Sequence, residues 1–77
     1  MQKMVKSFQK NKFQEVRVSI TEFRDNDLID IRVWATKAGS DEKVPTPKGV
    51  TINISLFPEL KEAILSLENE LRANNLL

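Results

Sequence analysis

Two stretches of the chain carry side chains of distinctive chemistry at alternating positions: Arg17 and Phe23 in the first, Arg32 and Trp34 in the second. In extended backbone, residues two apart point to the same side. If the β-branched residues between them face inward, one indole, one phenyl ring and two guanidinium groups share the outward face. Guanidinium groups hold phosphate oxygens and flat rings accept stacked bases, so the set suits a single-stranded nucleic acid. Trp34 has a second reading on the same alternation, in which it covers the sheet edge or packs beneath residues 37–48.

Other chemistries find few residues to work with. The chain has no cysteine and no histidine, which removes disulfides, zinc sites of the usual kind and catalysis by either residue. Gly39 and Gly49 are the only glycines, so no glycine-rich phosphate loop can form. A paired-carboxylate hydrolase would have to use Asp25, Asp27 and Asp30. The first two sit in an Arg24-Asp25-Asn26-Asp27 turn, where aspartate already has a backbone role. The expectation is a protein that is not an enzyme and holds neither cofactor nor metal.

The elements that must position the outward face are written in the apolar pattern. From Phe13, the residues Val16, Val18 and Ile20 alternate with Arg17, Ser19 and Thr21, which predicts a half-buried strand ending near Phe23. A second strand over 28–36 turns Ile29, Ile31 and Val33 inward and Asp30, Arg32 and Trp34 outward. After a turn at 38–42, residues 44–47 are extended, but Pro45 and Pro47 lack ladder donors and exclude a central strand. Val50-Thr51-Ile52 predicts a short further strand. The period then changes: Leu56, Leu60, Ile64, Leu67 and Leu71 mark one face of a helix, with Phe57, Ala63 and Leu65 widening it. Asn53 or Ser55 can cap its start, Pro58 is tolerated in its first turn, and Asn74-Asn75 can stop it. The expected order is ββββα, an α+β fold in which the helix covers one side of an antiparallel sheet and Leu60 and Ile64 lie in the core.

Seventy-seven residues make one small domain, and with no staples a second copy is the remaining way to complete the core. No apolar run is long enough for a membrane span, and no signal-peptide core is seen, so a soluble intracellular protein is expected. The net charge of +1 conceals a gradient. Over residues 1–18, Lys3, Lys6, Lys10, Lys12 and Arg17 stand against Glu15 alone, a net +4, whereas residues 57–77 carry −2. The division expected is a flexible basic arm over 1–11 and a single nucleic-acid-binding domain over 12–77.

Val16-Arg17-Val18-Ser19-Ile20-Thr21-Glu22-Phe23, then Leu28-Ile29-Asp30-Ile31-Arg32, then Pro45-Thr46-Pro47-Lys48-Gly49-Val50-Thr51-Ile52, then Phe57 and Leu60-Lys61 resemble the positive cofactor four family of transcriptional coactivators and their bacterial and phage relatives. The resemblance implies a curved four-stranded antiparallel sheet followed by one helix. It also implies a two-fold homodimer whose sheets form channels for single strands of DNA, with RNA as a further ligand. By position it makes Phe23 a stacking residue and Arg24, Arg32 and Lys48 basic contacts. A family lysine falls near Lys43 or Val44, and another basic position is Gln14 here, with Lys12 close by. The family's stacking tryptophan aligns with Ala35, one place after Trp34. The serine-rich tail of the eukaryotic coactivators is absent, so the resemblance implies a bacterial or phage relative in the cytoplasm, associated with the nucleoid. The nucleic-acid-binding set expected is Lys12, Arg17, Phe23, Arg24, Arg32, Trp34, Lys43 and Lys48. The alternative is a protein-interaction module on the same fold, with protein partners in transcription.

Overall fold

The computed structural model describes residues 1–77 and contains, in chain order, β1 (Lys3–Asn11), β2 (Gln14–Phe23), β3 (Asn26–Thr36), β4 (Lys43–Asn53), a 3-10 turn (Ile54–Leu56) and α1 (Phe57–Ala73). The strands form one antiparallel sheet in the order β1-β2-β3-β4. Its centre is the β2–β3 pair, where the alternation sorts the side chains cleanly. Val16 lies opposite Val33, Val18 opposite Ile31 and Ile20 opposite Ile29, which makes an aliphatic side. Glu15 lies opposite Trp34, Arg17 opposite Arg32 and Ser19 opposite Asp30, which makes a polar side. A one-residue slip would exchange the two sides, so the register is strongly set.

The basic stretch read as a flexible arm is instead a strand. β1 pairs with β2 from Lys3 opposite Ile20 to Asn11 opposite Gln14. Strand pairing is made by main-chain groups, and the free edge of β2 needs a partner whatever its side chains. Lysines suit that position because β1 is an edge, where charge discourages further strands from adding. The Met1 ammonium fastens its start, donating to Asp27 Oδ1 at 2.6 Å and Glu22 Oε1 at 3.0 Å. The hydrogen bonds to Asp27 and Glu22 hold its pKa above the ordinary value.

A second difference concerns residues 43–53, which form one continuous strand rather than an extended piece and a short strand. The prolines are accommodated because β4 is the other edge and is bulged between its pairings with Arg32 and Trp34. Thr46 fills the break by donating to the Val33 carbonyl at 2.8 Å. Beside it, β4 runs so close to β3 that a Cβ on Gly49 would lie 2.5 Å from the Ile31 carbonyl oxygen.

The helix begins after Asn53, whose side chain accepts from the Ser55 amide at 2.8 Å and caps the 3-10 turn. Pro58 falls in the first turn of α1. The helix stops where Asn75 turns left-handed (φ 58°) and Leu76 N–H bonds the Leu71 carbonyl at 2.8 Å, a Schellman ending.

The helix does not lie along the sheet. Only its first turn leans over the aliphatic side, where Phe57, Pro58 and Leu60 close a hollow of about 540 Å³ with Val18, Ile20, Ile29, Ile31 and Ile54. Beyond that turn α1 has at most marginal contact with the strands. Leu60 is half-buried, but Ile64, expected in the core, is 55% exposed, and Leu67 on the same apolar face of the helix is 53% exposed. No apolar residue is buried at all; Asp30 is the one buried residue. The radius of gyration is 14.7 Å, against about 11.5 Å for a compact chain of this length. The accessible surface is 6148 Å², about 1,400 Å² more than mass scaling gives for a folded monomer. Periodicity identified the apolar face of the helix, and the single chain leaves that face uncovered.

Candidate nucleic-acid interface

The polar side of the sheet is most open at its two ends. At the β2–β3 end, Phe23 pairs with Asn26 across a two-residue turn made by Arg24 and Asp25. Both turn residues are left-handed (φ 52° and 64°), the geometry whose twist matches a two-residue hairpin. Aspartate tolerates it; an arginine there costs about 1–2 kcal/mol relative to ordinary backbone. Sustained strain of that kind is a feature of functional positions. The Arg24 guanidinium carbon stands 5.2 Å from the centre of the Phe23 ring, which is 61% exposed. An open ring with a cation beside it offers a base a stacking surface and a phosphate a counter-charge.

The middle of the polar side is bound to itself. Arg17 lies over Trp34, its guanidinium carbon 4.0 Å from the ring centre, and its Nε donates to Glu15 Oε2 at 3.2 Å. One face of the indole is therefore covered, and its N–H is buried without an acceptor. The outward plane of the stack is the guanidinium, which can itself take a base. Arg32 is held more tightly. Its Nε and Nη2 donate to Asp30 Oδ1 at 3.2 and 3.1 Å, Nη1 to the Thr46 carbonyl at 2.9 Å, and Nη2 to Thr51 Oγ1 at 3.1 Å. Thr51 Oγ1 completes the knot by donating to Asp30 Oδ1 at 2.7 Å. Arg32 thus makes two donor contacts that tie β3 to β4 and two to Asp30 on its own strand, which offsets its charge.

At the other end of β2 stand Lys12, Phe13 and Lys43. Lys43 Nζ donates to Thr36 Oγ1 at 2.8 Å and to the Phe13 carbonyl at 3.3 Å. Lys12 is exposed, with its ammonium 5.5 Å from the centre of the Phe13 ring. Lys48 stands apart from the rest: it borders a shallow pocket with Val16, Ile31, Val33 and Val50, on the aliphatic side. The fold therefore gathers Arg17, Phe23, Arg24, Arg32, Trp34, Lys43 and Lys12 along one side and leaves Lys48 off it. Phe13, also 61% exposed, was not singled out from the sequence, although an aromatic next to a lysine in a tight turn is a readable signal.

The carboxylates considered for hydrolysis are separately occupied. Asp25 shapes the turn, Asp27 receives the Met1 ammonium, and Asp30 is locked to Arg32 and Thr51. No group of three or more acidic, histidine or cysteine side chains is placed to hold a metal. No helix is long and apolar enough to cross a membrane.

Known proteins share this architecture. The family model described as Transcriptional Coactivator p15 (PC4) matches residues 10–63. RNA polymerase II transcriptional coactivator SUB1 of Saccharomyces cerevisiae is 35% identical over 56 residues, 73% of this chain. Those residues span only 19% of that much longer protein. Among solved structures, a PC4 homologue from Burkholderia pseudomallei superposes with a TM-score of 0.80 at 24% identity, covering 88% of this chain and 98% of its own. The bacteriophage T5 homologue of the coactivator, implicated in recombination-dependent DNA replication, superposes with a TM-score of 0.68 at 21% identity, covering 99% of this chain and 83% of its own. Four antiparallel strands, one C-terminal helix and a family match running from β1 into α1 lead to one conclusion: the chain belongs to the PC4 family of transcriptional coactivators.

Proposed function

We propose that this protein binds single-stranded DNA, and RNA in the same extended form, with little sequence preference, as a homodimer serving transcription, replication or repair. The observation that carries this reading is the exposed Phe23 ring flanked by Arg24, at the open end of the face that holds the Arg17–Trp34 stack. Stacking and phosphate contact do not read base identity, which is why tolerance of sequence goes with such a surface. A duplex keeps its bases stacked on one another and offers this face phosphates alone. The activity is non-enzymatic, and the site of action is the cytoplasm with its nucleoid, as for a bacterial or phage protein.

The homodimer rests on the surface that the single chain leaves uncovered. An excess of about 1,400 Å² per chain doubles to roughly 2,800 Å² for a pair, within the range of obligate interfaces. The exposed row of Ile64 and Leu67 and the aliphatic hollow over Val18 and Ile31 are the surfaces a second copy would cover. A gel shift comparing labelled oligothymidylate with a matched duplex tests the binding. Retention of the single strand at concentrations that leave the duplex free is expected. Equal retention of both, or of neither, would favour the protein-interaction reading.

A further inference from the structure

We infer that Phe13 and Lys12 form a second stacking post, so that a bound single strand is gripped at both ends of β2. This rests on the single-strand reading above and extends it to Phe13, which neither motif nor family position marks, with Lys12 as the cation beside its ring. Phe13 sits in the two-residue turn between β1 and β2. Its backbone is fixed on both sides. The Phe13 amide donates to Asn11 Oδ1 at 3.0 Å, and its carbonyl accepts from Thr36 N at 3.0 Å, Thr36 Oγ1 at 3.2 Å and Lys43 Nζ at 3.3 Å. An aromatic ring that is 61% exposed on so firmly held a turn pays the cost of apolar surface in water without the freedom of a loose loop.

The bond from Thr36 continues the β2–β3 ladder by one step past Gln14 and Ala35, so Phe13 takes the parity of Glu15 and Arg17. Phe13 and Phe23 therefore lie on the same side of the sheet, one at each end of β2. Each has a cation beside its ring: Lys12 at 5.5 Å and Arg24 at 5.2 Å. Between them stands the self-satisfied centre of Glu15, Arg17, Trp34, Arg32 and Asp30. At strand rise the two rings are roughly 33 Å apart. That distance corresponds to about ten nucleotides of a strand stacked at ~3.4 Å, and to fewer when the strand is drawn out. A short oligonucleotide can occupy one post; a long one reaches both.

The test compares Phe13→Ala, Phe23→Ala and the parent protein against oligothymidylates of about 4 and about 16 nucleotides, the span of known single-strand site sizes. Phe13→Ala should weaken the long strand by roughly five- to 150-fold, the factor one stacked base carries. Its effect on the short strand should be at most twofold if the short strand prefers the Phe23 post. Lys12→Ala should reproduce part of the loss and flatten the salt dependence. Equal affinity of Phe13→Ala and parent for the long strand, with Phe23→Ala impaired, would overturn the second post while leaving single-strand binding intact. Failure of the parent to bind either length would instead remove the underlying reading. Sedimentation of Phe13→Ala guards against a third outcome: a changed assembly state would place the ring between protein copies and also overturn the proposal.

Discussion

Ile64→Ala separates two descriptions of this chain by the sign of its effect. In the single chain Ile64 is 55% exposed, on a helix that contains no buried residue. If that were its working environment, alanine would be the better helix former and the variant would gain up to ~0.7 kcal/mol. If a second copy covers the helix face, the substitution removes a buried side chain. The cost is then about 2–5 kcal/mol at each site, and each dimer has two sites. Even at the lower end, about 4 kcal/mol per dimer raises the dissociation constant on the order of a thousandfold. Sedimentation equilibrium over a wide concentration range, with thermal unfolding at the same concentrations, reads both quantities. The parent should sediment as a dimer at micromolar concentration and unfold at a temperature that climbs with concentration. Ile64→Ala should dissociate within the accessible range and melt lower. A variant as stable as the parent, with melting independent of concentration in both, would refute the reasoning from uncovered surface.

Three further outcomes follow from the sheet. Binding to a single strand should weaken linearly in log–log salt plots by about 0.7 per neutralised phosphate, with Lys12→Ala reducing the slope more than Lys48→Ala, which lies on the aliphatic side; equal reductions would show that Lys48 reaches the strand after all. Arg24→Gly should relieve the left-handed strain and stabilise the hairpin by up to ~1 kcal/mol in urea unfolding while lowering affinity for oligothymidylate; loss of both stability and binding would contradict this account of the turn. Gly49→Ala should destabilise by roughly 1–3 kcal/mol, because the added carbon meets backbone at Ile31 and Arg32 rather than a side chain that can swing away; an unchanged unfolding midpoint would disprove the close approach.

The parts of the fold that could be read from the sequence are those where side chains face two different environments. Val16, Val18 and Ile20 against Arg17 and Ser19 betray β2 because one side is aliphatic and the other wet. The same contrast exposes β3, and a period near four exposes α1. β1 carried no such contrast: it is an edge strand held by main-chain bonds, with lysines and Phe8 all exposed. Continuity of β4 was hidden because Pro45 and Pro47 lack ladder donors and the bulge at Thr46, Pro47 and Lys48 interrupts the pairing midway. At the site, parity placed Arg17, Phe23, Arg32 and Trp34 on one side, and the register agrees. Parity is silent on whether a charge is free. That Arg32 is committed to Asp30 two places before it and to Thr51 on β4, and that Arg17 covers one face of Trp34, depends on side-chain contacts that alternation does not encode. The same parity put Lys48 on the aliphatic side, but the family position drew attention to its charge before its side of the strand.

A chain without a single buried apolar residue has little of its own to condense around. If a second copy supplies the missing half of the core, as proposed, folding and encounter become one bimolecular event. Refolding should then quicken as the protein is concentrated, and subunits of two variants should mix no faster than they unfold. On that reading a newly made chain would stay open to proteases until it met another, and abundance itself would govern how much of the protein is native. Every proposed nucleic-acid site would then be made in pairs, and a cell that lowered the supply of this chain would lose binding capacity more steeply than polypeptide.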